Sequence, residues 1–209
     1  MTLRLPRIYP ITDRRLSGLP HAEQVRELIA GGAGLIQLRE KKLSPREFLR
    51  EAATALTIAR GHGVPLIIND RVDIAMAVGA AGVHLGQDDL PPKAARRLLG
   101  NQAIIGFSTH DVEQARLASD LPIDYLAVGP IFETSTKEMP DPVIGLEGLR
   151  QVRLLIRGLP LVAIGGITIH NAREVFEAGA DSVAVIGALF VKPREISLRL
   201  KEMLETAEK

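Results

Sequence analysis

The chain contains no cysteine and no tryptophan among its 209 residues, and only 3% of them are aromatic. Without cysteine there is no disulfide framework, no thiol nucleophile and no thiolate metal site. An excess of one charge is also missing. Twenty-six Lys and Arg stand against 25 Asp and Glu, a formal net charge of +1, and no like-charge block is long enough to suggest a nucleic-acid or membrane-surface partner. No apolar run approaches the roughly 18 residues of a spanning helix. The start, MTLRLPRIYP, lacks the apolar core of a signal peptide. These absences predict a soluble, cytoplasmic protein. At this length one domain, residues 1–209, buries about 70% of the surface its unfolded chain exposes.

What is present is alternation. Short β-branched runs at 8–12, 35–39, 65–69, 82–86, 103–108, 125–131, 161–165 and 182–187 read as strands. Most are continuously apolar, as expected of parallel strands buried on both faces. Segments with helical spacing lie between them, at 21–31, 45–61, 71–79, 91–99, 111–118, 146–157, 169–178 and 193–207. Val25, Leu28 and Ile29 share a face, as do Phe48, Ala52 and Leu56, and Ala172, Val175 and Phe176. Ser44-Pro45-Arg46-Glu47 has the pattern of a capping box with proline at the first helical position. Eight such units fit a closed barrel or an open doubly wound sheet. The count of eight, and the lack of G-x-G-x-x-G after the first strand, favour a single-domain α/β protein of the (β/α)8 TIM-barrel class.

Barrel enzymes build their sites at the C-terminal ends of the strands. There this sequence places Thr12-Asp13, then Gln37, Arg39 and Lys41, then Asn69-Asp70, then Gln87-Asp88-Asp89, then Ser108-Thr109-His110. After the sixth strand comes a long loop with Glu133, Thr134, Ser135, Thr136 and Lys137, and glycine turns follow the seventh and eighth strands at Gly165-Gly166 and Ile186-Gly187. Backbone N–H groups at such turns receive phosphate oxygens. Three cations with two carboxylates on one rim point to a polyphosphate with Mg²⁺, an ion held by few carboxylates and completed by substrate oxygens. Simpler roles stand beside these. Asp70 and Asp89 each precede a helix and suit an N-cap as well as a metal, and Ser108 or Thr109 could cap the helix after strand 5. Lys41 and Lys42 could be solvated surface lysines. His21, His62 and His170 read as surface or helix-end residues, His84 as a packed core histidine, and His110 as a residue near the mouth.

The segments QLREK (37–41), IINDRVDIA (67–75), GVHLGQDDL (82–90), GFSTH (106–110), VGPIFETSTK (128–137), GLEGL (145–149) and AIGGIT (163–168) resemble the thiamine-phosphate synthase family in order and spacing. The resemblance covers nearly the whole chain. It implies an enzyme, a transferase of thiamine biosynthesis. That enzyme couples 4-amino-2-methyl-5-hydroxymethylpyrimidine diphosphate with 4-methyl-5-(2-phosphoethyl)thiazole, or its carboxylated form, and releases diphosphate. By the same resemblance Gln37, Asn69 and Ser108 contact the pyrimidine substrate, and Arg39, Lys41 and Lys137 hold its diphosphate. Asp70 and Asp89 bind Mg²⁺. Thr134, Ser135, Thr136, Gly166, Ile186 and Gly187 receive the thiazole phosphate. Arg39, Lys41, Ser108 and Lys137 are then the catalytic set, the partners are these small molecules, and the family admits a homodimer. The chain departs from the family at Gly187, where many relatives have serine, and at Glu133, where an uncharged residue is more usual. The related thiazole tautomerases place a histidine where this chain has Pro130 and lose much of the Asn-Asp and Gln-Asp-Asp pattern retained here. A non-catalytic thiazole-phosphate sensor would leave Arg39, Lys41, Asp70, Asp89 and Lys137 without a role. A sugar-phosphate isomerase on the same fold would need a general base that no strand end obviously offers.

Overall fold

A computed structural model describes residues 4–134, 136, 141–156, 158–192 and 195–207. Eight parallel strands close into a barrel in sequence order, β1 (Ile8–Asp13), β2 (Ile36–Arg39), β3 (Leu66–Asn69), β4 (Gly82–Leu85), β5 (Ile104–Thr109), β6 (Tyr125–Val128), β7 (Leu161–Ile164) and β8 (Ser182–Val185). The closing pair sets Tyr9 of β1 beside Ala184 of β8. The helices are α1 (Arg14–Ser17), α2 (His21–Ala30), α3 (Pro45–Gly61), α4 (Val72–Val78), α5 (Pro92–Leu99), α6 (Val112–Ala118), α7 (Gly145–Leu155), α8 (Ala172–Glu177) and α9 (Ile196–Ala207). The one-turn α1 directly after β1 is an element the sequence reading lacks. No helix among the described residues is long and apolar enough to cross a membrane.

Side chains alternate across each strand, and this divides the apolar residues into two layers. Leu38, Ile68 and Val183 point outward and pack with Leu28, Phe48 and Val175 of the helices. Tyr9, Ile67, Tyr125 and Val162 point inward and fill the barrel. The continuous apolar strand runs in the sequence follow from this double burial. The capping box forms as expected. Ser44 caps α3 by accepting from the Glu47 N–H, and Glu47 reaches back to the Ser44 N–H.

One glycine shapes the barrel interior. A Cβ on Gly106 would run into the Tyr125 phenol and the His84 ring. Its absence lets those rings stack at 5.5 Å between centroids. Tyr9 meets Tyr125 edge-on at 6.0 Å, and the two hydroxyls hydrogen-bond at 3.1 Å. The layer of the barrel beneath the mouth is therefore aromatic and polar.

Candidate active site

The C-terminal mouth opens into a cavity of about 1550 Å³. Its β2–β4 side is charged. Gln37 and Asn69 rise from the buried floor, with Arg39 and Lys41 above them and Asp70 and Asp89 facing across the ends of β3 and β4. The Arg39 guanidinium is fixed by Asp13 at 2.6 Å, and the Lys41 ammonium by Asp70 at 2.5 Å. Asp13 is buried, accepts the Leu16 N–H as the N-cap of α1, and has its own N–H bound to Gln24 Oε1. It is an orienting anchor for Arg39 that the sequence reading noted only as a strand end.

The capping roles considered for Asp70 and Asp89 do not occur. The N-caps of α4 and α5 are Arg71 and Pro91, neither with a side-chain capping bond. Asp70 instead holds φ +62°, the left-handed region, as the sole non-glycine among the described residues to do so. Such a conformation costs on the order of 1 kcal/mol or more and persists where the surroundings enforce it. Here it accompanies a carboxylate turned to Lys41 and Asp89. Asp89 Oδ2 accepts the Gly86 N–H at 2.7 Å, which closes its own turn. Burial first, and then the neighbouring Asp70 carboxyl, push the Asp89 carboxyl above the usual carboxylate range. A cation held beside Asp89 would offset both the burial and the neighbouring carboxyl. Ser108 and Thr109 do not cap α6 either, since Asp111 does so by accepting from the Gln114 N–H.

Ser108 belongs to a polar chain across the floor. Gln37 Nε2 donates to Tyr9 Oη at 3.2 Å, Tyr9 and Tyr125 share a bond, Tyr125 Oη meets His84 Nδ1 at 2.9 Å, and His84 Nε2 meets Ser108 Oγ at 2.8 Å. Burial lowers His84 to about 4, so it is neutral near pH 7. Burial raises both tyrosines, which stay protonated. One directed arrangement satisfies every member. Gln37 donates to Tyr9, Tyr9 to Tyr125, Tyr125 to Nδ1, and Nε2–H to Ser108, whose proton then points onward. His84 is thus a packed histidine, as expected, that also lines the cavity and links two of the expected substrate contacts.

The β6–β8 side is built from backbone. Gly166 has φ +66°, and a Cβ there would stand 2.5 Å from the Glu133 carbonyl and 2.7 Å from Phe132 Cβ. Only glycine permits that turn under the loop. Ile186 and Gly187 follow β8, and Thr136 Oγ1 lies 3.4 Å from where a Gly187 Cβ would be. Thr134 and Thr136 also line the cavity. Ser135 and Lys137 lie outside the described residues. Arg15 of α1 reaches over to donate to the Thr136 carbonyl at 2.9 Å and lines the same cavity. His110 Nδ1 donates to the Gly129 carbonyl at 2.8 Å and sits at the edge of the mouth. His62 and His170 are exposed as expected, but His21 is fully buried. Thr12 and Glu40 draw its ring inward, and the sequence showed no signal for that pairing.

No group of three or more His, Asp or Glu that could hold a metal occurs among the described residues. An ion at Asp70 and Asp89 would therefore need oxygens from a bound substrate.

With this geometry in place, the comparisons with known proteins agree among themselves. Thiamine-phosphate synthase from Koribacter versatilis is 48% identical, covering 98% of each chain. The enzyme of the same name from Albidiferax ferrireducens is 47% identical over 97% of this chain and 94% of its own. The solved thiamine phosphate pyrophosphorylase from Pyrococcus furiosus superposes with a TM-score of 0.86 at 39% identity, covering 97% and 95% of the two chains. The family profile described as thiamine monophosphate synthase matches residues 8–189, and the chain belongs to that family.

Proposed function

We propose that this enzyme couples the aminopyrimidine methyl diphosphate with the thiazole phosphate, or its carboxylated form, to give thiamine phosphate and diphosphate. The observation that carries the reading is the set of two cations and two carboxylates on one side of the mouth, facing a glycine-built phosphate seat on the other. A diphosphate leaving group needs positive charge fixed before the reaction. A spectator phosphate needs only hydrogen-bond donors.

In the reaction the methylene C–O bond breaks, and its electron pair leaves with diphosphate. The aminopyrimidine ring spreads the positive charge left on the methylene, and the thiazole nitrogen lone pair then forms the new C–N bond. No enzyme nucleophile is required. Arg39 and Lys41, held by Asp13 and Asp70, stabilise charge as it gathers on the departing oxygens, with Lys137 in the same role. Loss of one such group in comparable sites lowers turnover about 10²- to 10³-fold. Gln37, Asn69 and Ser108 hold the ring against the floor. Gly166, Ile186, Gly187 and the hydroxyls of Thr134, Ser135 and Thr136 seat the phosphate, so that the nitrogen sits beside the methylene.

Asp70 and Asp89 fit Mg²⁺: they are the two acidic groups crowded together on the rim, and two carboxylates plus phosphate oxygens suit this ion. Bound there, Mg²⁺ would neutralise diphosphate charge. The whole chain then acts as one catalytic unit in the cytoplasm.

The test is to incubate the purified protein with both substrates and Mg²⁺, with a chelated control, and to quantify thiamine phosphate and diphosphate together. Metal-dependent, equimolar formation of both is expected. Tight thiazole-phosphate binding with no product would instead favour a tautomerase or a sensor.

A further inference from the structure

Beneath the cation-bearing loop lies a polar group that the reaction does not use. His21, the first residue of α2, has 0% of its surface exposed. Its Nδ1 meets Thr12 Oγ1 at 2.8 Å, and its Nε2 meets Glu40 Oε2 at 3.2 Å. Thr12 Oγ1 also accepts the Arg39 N–H at 3.3 Å. Glu40 Oε1 accepts the N–H groups of Lys42 at 2.6 Å and Leu43 at 3.1 Å. The links form a closed circuit. It runs from the Arg39 backbone through Thr12, His21 and Glu40 to the backbone just past Lys41.

The donor directions follow from chemistry. A carboxylate only accepts, so His21 Nε2 carries the proton toward Glu40, and a neutral ring then leaves Nδ1 to accept from Thr12. Burial, the leading influence, lowers the His21 pKa and keeps the ring neutral. Burial alone would raise Glu40, but the bonds from Lys42, Leu43 and His21 together outweigh it and hold the carboxyl below the usual carboxylate range. Each member has one consistent role, which locks Glu40 against the turn.

We infer that His21 is a positioning residue for the diphosphate side of the mouth, acting through Glu40 and Thr12 to set where the loop presents Arg39 and Lys41. The inference rests on the assignment of these two cations to the diphosphate. Among the described residues, none of the hydrogen bonds of the circuit reaches Gly166, Ile186, Gly187 or the threonines of the β6–β8 seat, so its main effect falls on one substrate. Displacing a binding group by about 1 Å can cost as much as 100-fold in rate.

The experiment compares steady-state kinetics of the wild type with His21→Leu, His21→Gln, Thr12→Val and Arg39→Ala, varying each substrate in turn. His21→Leu and Thr12→Val should raise KM for the pyrimidine diphosphate about tenfold or more, with KM for the thiazole phosphate within about twofold. His21→Gln retains a donor toward Glu40 and should recover most of the loss. Thr12→Val is close to isosteric and decides the matter if His21→Leu fails to fold. Unchanged pyrimidine-diphosphate KM, or a parallel rise in both KM values, would overturn the inference and leave His21 a purely structural residue. Arg39→Ala separates the two levels. If it raises the pyrimidine-diphosphate KM while His21→Leu and Thr12→Val do not, only the His21 inference falls. If it does not, the assignment of this rim falls, and the inference with it.

Discussion

The two sides of the barrel mouth, proposed to seat two different phosphate groups, are built in different ways. On the β2–β4 side the donors are charged side chains already paired, Arg39 with Asp13 and Lys41 with Asp70, and the loop carrying them is pinned from below. On the β6–β8 side the seat is backbone and hydroxyl, at Gly166, at Ile186-Gly187 and at the threonines above them. Under the proposed assignment, the difference reflects what each phosphate does. One departs with a growing negative charge and needs strong counter-charges that require no reorganisation when the bond breaks. The other remains on its substrate and needs recognition alone. A neutral polar chain from Gln37 to Ser108 runs beneath the mouth.

This contrast can be broken most forcefully on the charged side. Lys41→Ala should lower kcat/KM about 10²- to 10³-fold. Its pair with Asp70 is half-exposed, so unfolding free energy should change by no more than about 1 kcal/mol. Chemical denaturation beside the kinetics checks both halves of that expectation, and equal losses would make Lys41 structural.

The floor has a pH signature. His84 folds with its pKa lowered to about 4, below its unfolded value near 6.5. As pH falls below 6.5 the unfolded chain takes up the proton first. The stability is therefore fully present above 6.5 and lost down to about 4, by an amount on the order of 3 kcal/mol. His21 is shifted in the same direction and adds to the slope. Urea unfolding between pH 4 and 7 should show this decline, and His84→Gln should flatten it. An unaltered slope in that variant would remove His84 as its source.

The backbone side should respond more mildly. Gly166→Ala forces a Cβ against Glu133 and Phe132 at positive φ, which should cost about 1–3 kcal/mol of stability. It should also raise KM for the thiazole phosphate alone. Gly187→Ser is the smallest change. Its Cβ enters at ordinary contact with Thr136, and the hydroxyl can add one hydrogen bond worth about 0.5–1.5 kcal/mol. A fall in thiazole-phosphate KM of several-fold is expected, and a rise would mean that the seat tolerates no side chain there.

Among the described residues, the strands, eight of the nine helices and the rim position of the candidate residues were legible in the sequence, because burial on both faces and strand-end polarity leave direct patterns. Helix ends shifted by a few residues, as with α8, which spans Ala172–Glu177 rather than 169–178. The one-turn α1 left no periodicity to detect, and the expected start of α9 at 193 lies outside the described residues. What the sequence could not show was pairing between distant segments. The bonds from Asp13 to Arg39, from Arg15 to Thr136 and from His21 to Glu40 join residues 26, 121 and 19 positions apart, and nothing local marks them. For Asp70 and Asp89 the sequence leaves capping and metal binding both open, because aspartate is among the preferred N-caps. The left-handed backbone at Asp70 that rules capping out is visible only in three dimensions.

The central claim, that the two sides serve two substrates, is tested most directly by calorimetric titration of wild type and an Asp70→Asn, Asp89→Asn double variant. One titrant is inorganic diphosphate with Mg²⁺, and the other is the thiazole phosphate. The account predicts that the double variant loses Mg²⁺-dependent diphosphate binding and keeps thiazole-phosphate affinity within about twofold. Undiminished diphosphate binding, or loss of both ligands together, would contradict it.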